Sequence, residues 1–143
     1  MGIKIAVIDS MGGSIGNQII TQLRQNFGQE LEIFALGTNA IATSNMLKAK
    51  ANRGATGENA IKVTIEDEDV NLIFAPISVI IANSMMGEIT PAIAESIRKF
   101  SKKKIFIPLC NPPLNILGVE KKPLPQLIDE GIEIIKEMID KNE

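Results

Sequence analysis

The chain has 143 residues, of which 45% are hydrophobic and 22% charged, and its formal net charge is -2. This composition is typical of a globular protein, and we expect one domain over residues 1–143. The chain has no histidine, no tyrosine and one cysteine, which excludes a Ser-His-Asp triad, an imidazole metal site and an intrachain disulfide. We therefore expect no bound metal, and the acidic balance predicts no nucleic-acid partner.

The first predicted unit is a strand, a glycine-bearing turn, a helix and a second strand. Ile3–Ile8 is a nearly continuous apolar run, as expected for a strand buried on both faces of a parallel sheet. The apolar spacing becomes helical from Ser14, and Gly28 is predicted to end this helix. Leu31–Leu36 is the second predicted strand. A strand, helix and strand in this order predict a parallel pair.

The middle of the chain is predicted to hold two helices and a third strand. Thr38 or Asn39 can cap a helix over residues 40–51. The polar stretch at residues 53–59 is predicted to be a loop that leads into a short helix near residues 58–63. Leu72–Ala75 is the third predicted strand.

The third quarter of the chain gives one strong helix signal and a predicted hairpin. Residues 77–82 are apolar and leave a strand and a buried helix both open, whereas Thr90-Pro91 is typical of a helix start. Lys104–Leu109 and Leu114–Val119 are predicted to be the fourth and fifth strands. Because only Cys110–Pro113 separates them, we expect an antiparallel hairpin at a sheet edge.

The last helix is predicted from about Pro125, with Gly131 on its apolar face, where close contact with a neighbouring backbone is expected. These elements predict a three-layer α/β/α sandwich with a mostly parallel, Rossmann-like sheet and an antiparallel edge hairpin. Strand orders 2-1-3-4 and 3-2-1-4 both remain open. No targeting segment and no bilayer-length apolar run is visible, so we expect a cytoplasmic protein without a membrane partner.

The glycine-rich turn after the first strand is the first candidate site. Gly12, Gly13, Ser14 and Gly16 follow a predicted strand and open a predicted helix, a pattern typical of phosphate-binding turns. Backbone N–H donors and the positive end of the helix dipole favour an anion there. We predict a bound phosphate or similar anion, with Asp9 as the competing acceptor if its carboxylate takes the same donors.

Two features narrow the ligand classes. Gly37-Thr38-Asn39 provides no acidic side chain at the end of the second strand to hold a ribose hydroxyl, which argues against NAD. No lysine follows the glycines, which argues against a Walker A loop and its ATP hydrolysis.

Three further polar segments follow successive predicted strands, and we expect them to line one cleft with the glycine-rich turn. Arg53 could hold an anion in a bidentate manner, and Glu58 is the candidate general base should the protein be an enzyme. The predicted cleft residues of these segments are Thr38, Asn39, Arg53, Thr56, Glu58, Asn83 and Glu88.

Four segments carry a resemblance to a known family. They are D-S-M-G-G-S-I-G at residues 9–16, A-L-G-T-N-A-I-A-T at 35–43, N-R-G-A-T-G-E-N-A-I at 52–61 and A-N-S-M-M-G-E-I-T-P-A at 82–92. Together they resemble a bacterial family of uncharacterised small Rossmann-like proteins, a domain of unknown function of about this length. The family pattern at the first segment is D-G-x-G-G-x-I-G, from which Ser10 departs. The resemblance implies a small Rossmann-like domain without an assigned activity.

The leading functional prediction is a Rossmann-like domain that binds a small molecule, such as a nucleotide or another phosphate-bearing or anionic ligand. The sequence leaves open whether a reaction is catalysed. The alternative is a non-catalytic interaction or structural protein that forms a homo-oligomer through apolar surface near Met85-Met86 or the last helix. A ligand that raises the melting temperature with its concentration would distinguish the two.

Overall fold

The computed structural model describes residues 2–141 and contains five strands and five α-helices. Their order along the chain is β1 (Ile3–Asp9), α1 (Ser14–Phe27), β2 (Leu31–Gly37), α2 (Ala40–Lys48), β3 (Arg53–Thr56), α3 (Glu58–Asp67), β4 (Leu72–Pro76), α4 (Pro91–Lys99), β5 (Lys103–Ile107) and α5 (Leu124–Lys141). Short 3₁₀ helices lie at Gly28–Glu30 and Ile77–Ile80. The second lies in the apolar stretch at residues 77–82, for which the sequence left a strand and a buried helix both open.

All five strands are parallel, in the order β3-β2-β1-β4-β5. The four predicted strands that are present correspond, in chain order, to β1, β2, β4 and β5. Because β4 pairs with β1, these four strands lie in the order 2-1-3-4, one of the two orders that the sequence left open. The chain therefore adds β2 and β3 on one side of β1 and then β4 and β5 on its other side. The carboxyl ends of β1 and β4 flank the position where this direction reverses, which is where open α/β sheets place ligands.

Helices cover both faces of the sheet. One apolar core lies between the sheet and α1, α2 and α5, and the other lies between the sheet and α3 and α4. Gly131 of α5 faces the ring of Phe74 in β4, and a Cβ at this glycine would lie 2.3 Å from the ring carbon Cζ. Gly131 therefore lies in close contact as predicted, but the predicted backbone neighbour is wrong, because the contact is with a side chain.

The predicted antiparallel edge hairpin is wrong. Leu114–Val119 forms no strand, and residues 111–123 are all exposed in a loop that joins β5 to α5. The backbone bond of this segment among the described residues, from the Val119 N–H to the Ile116 carbonyl oxygen at 3.3 Å, closes a local turn and forms no ladder with β5. The apolar residues of the segment cover hollows beside β5 and α5 and pair with no strand.

The prediction that residues 53–59 form a loop is wrong for its first half. Arg53–Thr56 is the edge strand β3 and pairs in register with β2, from Phe34↔Arg53 to Gly37↔Thr56. Its side chains are mostly exposed, so the segment lacks the apolar run by which the other strands are recognised. Elsewhere α2 ends at Lys48, three residues before its predicted end, and α3 extends to Asp67.

Among residues 2–141, no helix is both long enough and apolar enough to cross a bilayer.

Candidate functional site

The head of α1 is closed by a buried carboxylate. Asp9, the last residue of β1, is 3% exposed. Its Oδ1 accepts a hydrogen bond from the N–H of Ser10 at 2.8 Å, and its Oδ2 accepts one from the N–H of Gly16 at 2.7 Å. The Gly13 N–H, which was predicted to bind a phosphate, donates to the carbonyl oxygen of Ser10 at 3.0 Å. The N–H groups of Gly12 and Ser14 have no hydrogen-bond partner among the described residues.

The glycines of this loop allow close packing. Gly13 has φ +75°, and a Cβ there would lie 2.7 Å from the carbonyl oxygen of Ala42 in α2. A Cβ at Gly16 would lie 2.4 Å from the sulfur of Met46 and 3.1 Å from the Cβ of Asp9. Both positions therefore need glycine to bring α1 against α2 and β1, whatever ligand the loop binds.

Burial raises the pKa of Asp9 more than the hydrogen bonds from the N–H groups of Gly16, Ser10 and Ile15 lower it. The charge of Glu88 adds to the increase. The net result is a pKa above the ordinary value of 3.8, because the ionised form is deprived of water. Asp9 is an interior group that joins the sheet to α1.

Glu88 lies across the ends of β1 and β2 although it comes from the segment between β4 and α4. Its Oε1 accepts hydrogen bonds from Met11 N at 2.9 Å, Thr38 Oγ1 at 2.6 Å and Asn39 Nδ2 at 3.0 Å. Its Oε2 accepts none from residues 2–141, and the side chain is half-buried. One oxygen of Glu88 is therefore fully engaged by the protein, and the other is available to a ligand.

These contacts keep Glu88 ionised. Partial burial raises the pKa of Glu88, but the hydrogen bonds from Thr38, Met11 and Asn39 together lower it further, so that it lies below its ordinary value of 4.5. Asp9 and Glu88 therefore have pKa values shifted in opposite directions although they lie close together.

A tightly turned segment before α4 delivers Glu88. Asn83, Met85, Met86 and Gly87 all have positive φ angles, between 54° and 85°. The Asn83 N–H donates to the carbonyl of Ile89 at 2.6 Å, which closes the segment on itself. The sequence predicted Asn83 as a site residue, and the structure places it in this turn.

The structure brings together the other predicted residues at the carboxyl ends of β2 and β3. Asn39 caps α2 by accepting from the Ala42 N–H, and Thr56 Oγ1 donates to Thr43 Oγ1 at 2.8 Å. The predicted general base, Glu58, accepts a 2.5 Å hydrogen bond from Thr90 Oγ1 at the start of α4. Glu58 thereby joins the starts of α3 and α4, beside the segment that carries Glu88.

Arg53 does not join this group. It lies at the start of β3 and pairs with Glu32 at 3.1 Å and with Glu68 at 3.5 Å. Its guanidinium also stacks 4.9 Å from the ring centre of Phe34. These partners hold the guanidinium toward the amino-terminal ends of the strands, whereas Glu88 lies at their carboxyl ends. Arg53 is therefore not placed to hold an anion beside Glu88.

Two buried serines were not predicted as site residues. Ser10 follows β1 and Ser78 follows β4, on the two sides of the position where the strand order reverses. The Oγ atoms of both are buried and have no hydrogen-bond partner among the described residues. Buried hydroxyls usually have partners, so these two are exceptions on either side of the reversal. Their position directly after predicted strands was the available signal.

The edge of the sheet that holds these residues is acidic. Asp9, Glu58 and Glu88 lie there, and no group of three metal-ligating side chains is present among residues 2–141.

Comparison with known proteins adds a family and no activity. No curated protein and no solved structure matches the chain. A family model described as Domain of unknown function (DUF3842) matches residues 4–140. Since the match covers nearly the whole chain and agrees with the resemblance drawn from its motifs, the protein belongs to the DUF3842 family.

Proposed function

We propose that this chain binds a ribonucleotide at the carboxyl ends of β1, β2 and β4, with a ribose hydroxyl on Glu88. The observation that carries the proposal is the asymmetry of the Glu88 carboxylate: three protein donors hold Oε1, and none of the described residues holds Oε2. An ionised oxygen that is fixed in place and open to one side is an acceptor for a ligand hydroxyl or amine.

The position of Glu88 supports a ribose in particular. In dinucleotide-binding sheets, an acidic side chain near the end of the second strand accepts hydrogen bonds from ribose. Local sequence provides no such acid after β2, but the bonds to Thr38 and Asn39 place the Glu88 carboxylate there. The likeness to dinucleotide-binding sheets is an analogy between folds, and the hydrogen bonds of Glu88 to Thr38 and Asn39 give it a physical basis in this chain.

The phosphate of the ligand would use the donors that Asp9 leaves free. These are the N–H groups of Gly12 and Ser14 at the start of α1, and both residues are exposed. The nearby carboxylates of Asp9 and Glu88 repel an anion, so we expect the phosphate to add less to affinity than the ribose does. The proposal concerns binding and assigns no reaction.

The experiment is a comparison of ribonucleosides, ribonucleotides, their 2′-deoxy forms and inorganic phosphate by thermal shift and calorimetry. We expect ribose-bearing compounds to raise the melting temperature with concentration, because a ligand at about 100 times its Kd stabilises the native state by about 2.7 kcal/mol. Glu88→Gln replaces the free acceptor by an amide and should remove binding. Glu95→Gln, on the exposed face of α4, is the matched control.

Each alternative result has a distinct meaning. Equal binding of ribose and 2′-deoxyribose compounds would refute a bond from the 2′-hydroxyl to Glu88, and nucleotide binding unchanged in Glu88→Gln would refute the role of Glu88. Binding of inorganic phosphate alone, unchanged in Glu88→Gln, would support the anion site at Gly12 and Ser14 without a nucleotide. Failure of the whole panel to bind would refute the proposed function.

A further inference from the structure

An apolar surface lies beside β5, the edge strand on the opposite side of the sheet from β3. It consists of the exposed side chains of Leu109, Leu114, Ile116, Leu117, Val119 and Ile134, and we call it the β5–α5 surface. These side chains line two adjoining hollows of about 610 and 630 Å³, which share Ile116 and Val119. Contiguous exposed apolar side chains of this kind mark interaction sites.

The edge of the sheet on the same side of the molecule has no further strand. Within the described chain β5 pairs with β4 alone, so no strand pairs with the backbone groups of its outer edge. An open strand edge is a template for pairing with another chain. The loop from β5 to α5 does not pair with this edge as a strand. Within residues 111–123 of the described chain, the internal backbone hydrogen bond runs from the Val119 N–H to the Ile116 carbonyl oxygen.

We infer that the β5–α5 surface is the interface of a homodimer, and that its occupant is a second copy of this chain. The surface both projects and recedes: the Leu117 side chain is 95% exposed, and it stands beside the hollows. A two-fold interface joins the same patch on both copies, so it requires a projection and a recess in one patch. Leu117 lines one hollow and is still almost fully exposed, so a small molecule in that hollow would cover only part of its side chain, whereas a second copy covers it whole.

The charges around the surface are also self-complementary. Glu120 and Lys121 follow the apolar segment, and Lys122 is held by Glu130 at 3.1 Å and Glu120 at 3.6 Å. Lys121 forms no ion pair within residues 2–141, and it lies next to a glutamate whose side chain is 81% exposed. In a two-fold pairing, Lys121 of one copy can face Glu120 of the partner subunit, which places opposite charges at the rim.

The test is the mass of the intact protein in solution, measured by light scattering and sedimentation over a wide concentration range. We expect a dimer, twice the 15.5 kDa of the chain. Leu117→Asp should raise the dimer Kd about 30-fold or more, because it puts a charge at the centre of an apolar interface. The side chain is almost fully exposed in one copy, so this variant should keep the fold of the monomer, as far-UV circular dichroism would show.

Ile41→Asp is the matched control. Ile41 is 71% exposed at the start of α2, a helix that packs on β2 and β3 at the other end of the sheet, so this variant should remain dimeric. A wild-type chain that stays at 15.5 kDa at all concentrations would overturn the inference. So would a Leu117→Asp variant that dimerises like wild type. A monomer that binds an apolar dye in the hollows would assign the surface to a small ligand and refute the dimer.

Discussion

Replacing Glu88 with glutamine separates the charge of this side chain from its shape. The amide oxygen can still accept from Met11, Thr38 and Asn39, but it accepts as a neutral group. A hydrogen bond to a charged group exceeds a neutral one by about 1 kcal/mol. For three such bonds the difference would be about 3 kcal/mol. Because the carboxylate is half-buried and water screens its charge, we expect Glu88→Gln to lower the unfolding free energy by about 1–2 kcal/mol.

The sign of the pH dependence follows from the lowered pKa of Glu88. Because this pKa lies below 4.5 in the folded state, the ionised side chain stabilises the fold above pH 4.5. That contribution is lost as the pH falls through the folded-state pKa, so the difference between wild type and Glu88→Gln should shrink in acid. Urea denaturation at neutral and acidic pH measures it.

The control for this prediction is Glu95→Gln. Glu95 forms a surface ion pair with Lys99 at 3.2 Å, so its replacement should cost at most about 0.5 kcal/mol. A loss in Glu88→Gln no larger than the control, or equally large at both pH values, would refute the reasoning about its hydrogen bonds.

Three further changes test the packing around the site. Asp9→Asn should gain stability relative to wild type as the pH rises from 3.8 through the raised folded-state pKa of Asp9, because ionising the buried Asp9 disfavours the native state of the wild type. Denaturation over that pH range measures the difference in unfolding free energy, and a difference that stays constant would contradict the prediction. Gly131→Ala should lower the unfolding free energy by about 1–2 kcal/mol, because contact with Phe74 outweighs the gain in helix propensity, and Phe74→Leu in the same chain should restore part of the loss in urea titrations. Thr90→Ala should cost about 1–2 kcal/mol by removing the cap of α4 and the bond to Glu58, and a midpoint unchanged in the same titrations would argue against the cap.

Local patterns in the sequence were sufficient for the buried elements. Ile3–Asp9 and Leu31–Gly37 are strands buried on both faces, so a continuous apolar run predicts them. Thr90 accepts from the Ile93 N–H, and Pro91 occupies the first helical position, as their residue types predict. In each case the signal and the structure depend on the same few neighbouring residues.

The exposed elements could not be predicted in this way. β3 is an edge strand whose side chains face water, so only its pairing with β2 distinguishes it from a loop. Leu114–Val119 shows the reverse error, because its apolar residues suggest a buried strand although the segment is exposed. Apolar residues indicate that something must cover them, and the sequence does not state whether the cover is the same chain.

The site depends on contacts between residues that lie far apart in the chain. Thr38 and Asn39 were predicted as site residues because they follow a strand, but the acid that completes their group is 50 and 49 residues away. The turn at residues 83–87, with its positive φ angles, sets the direction of Glu88. Arg53 was assigned to the cleft by its charge, yet its position at the start of β3 directs it to Glu32 and Glu68.

The opposite pKa shifts of Asp9 and Glu88 divide the roles at the head of α1. Asp9 is buried, accepts from backbone N–H groups and holds α1 to β1, so a ligand cannot replace it without opening the core. Glu88 is half-buried and leaves one ionised oxygen without a partner among residues 2–141. A carboxylate that stabilises its own fold need not leave an oxygen unused, since both lone-pair sets can accept bonds. The fold thus accounts for one oxygen of Glu88 and leaves the other to water, and under the proposed function a ligand hydroxyl takes the place of that water.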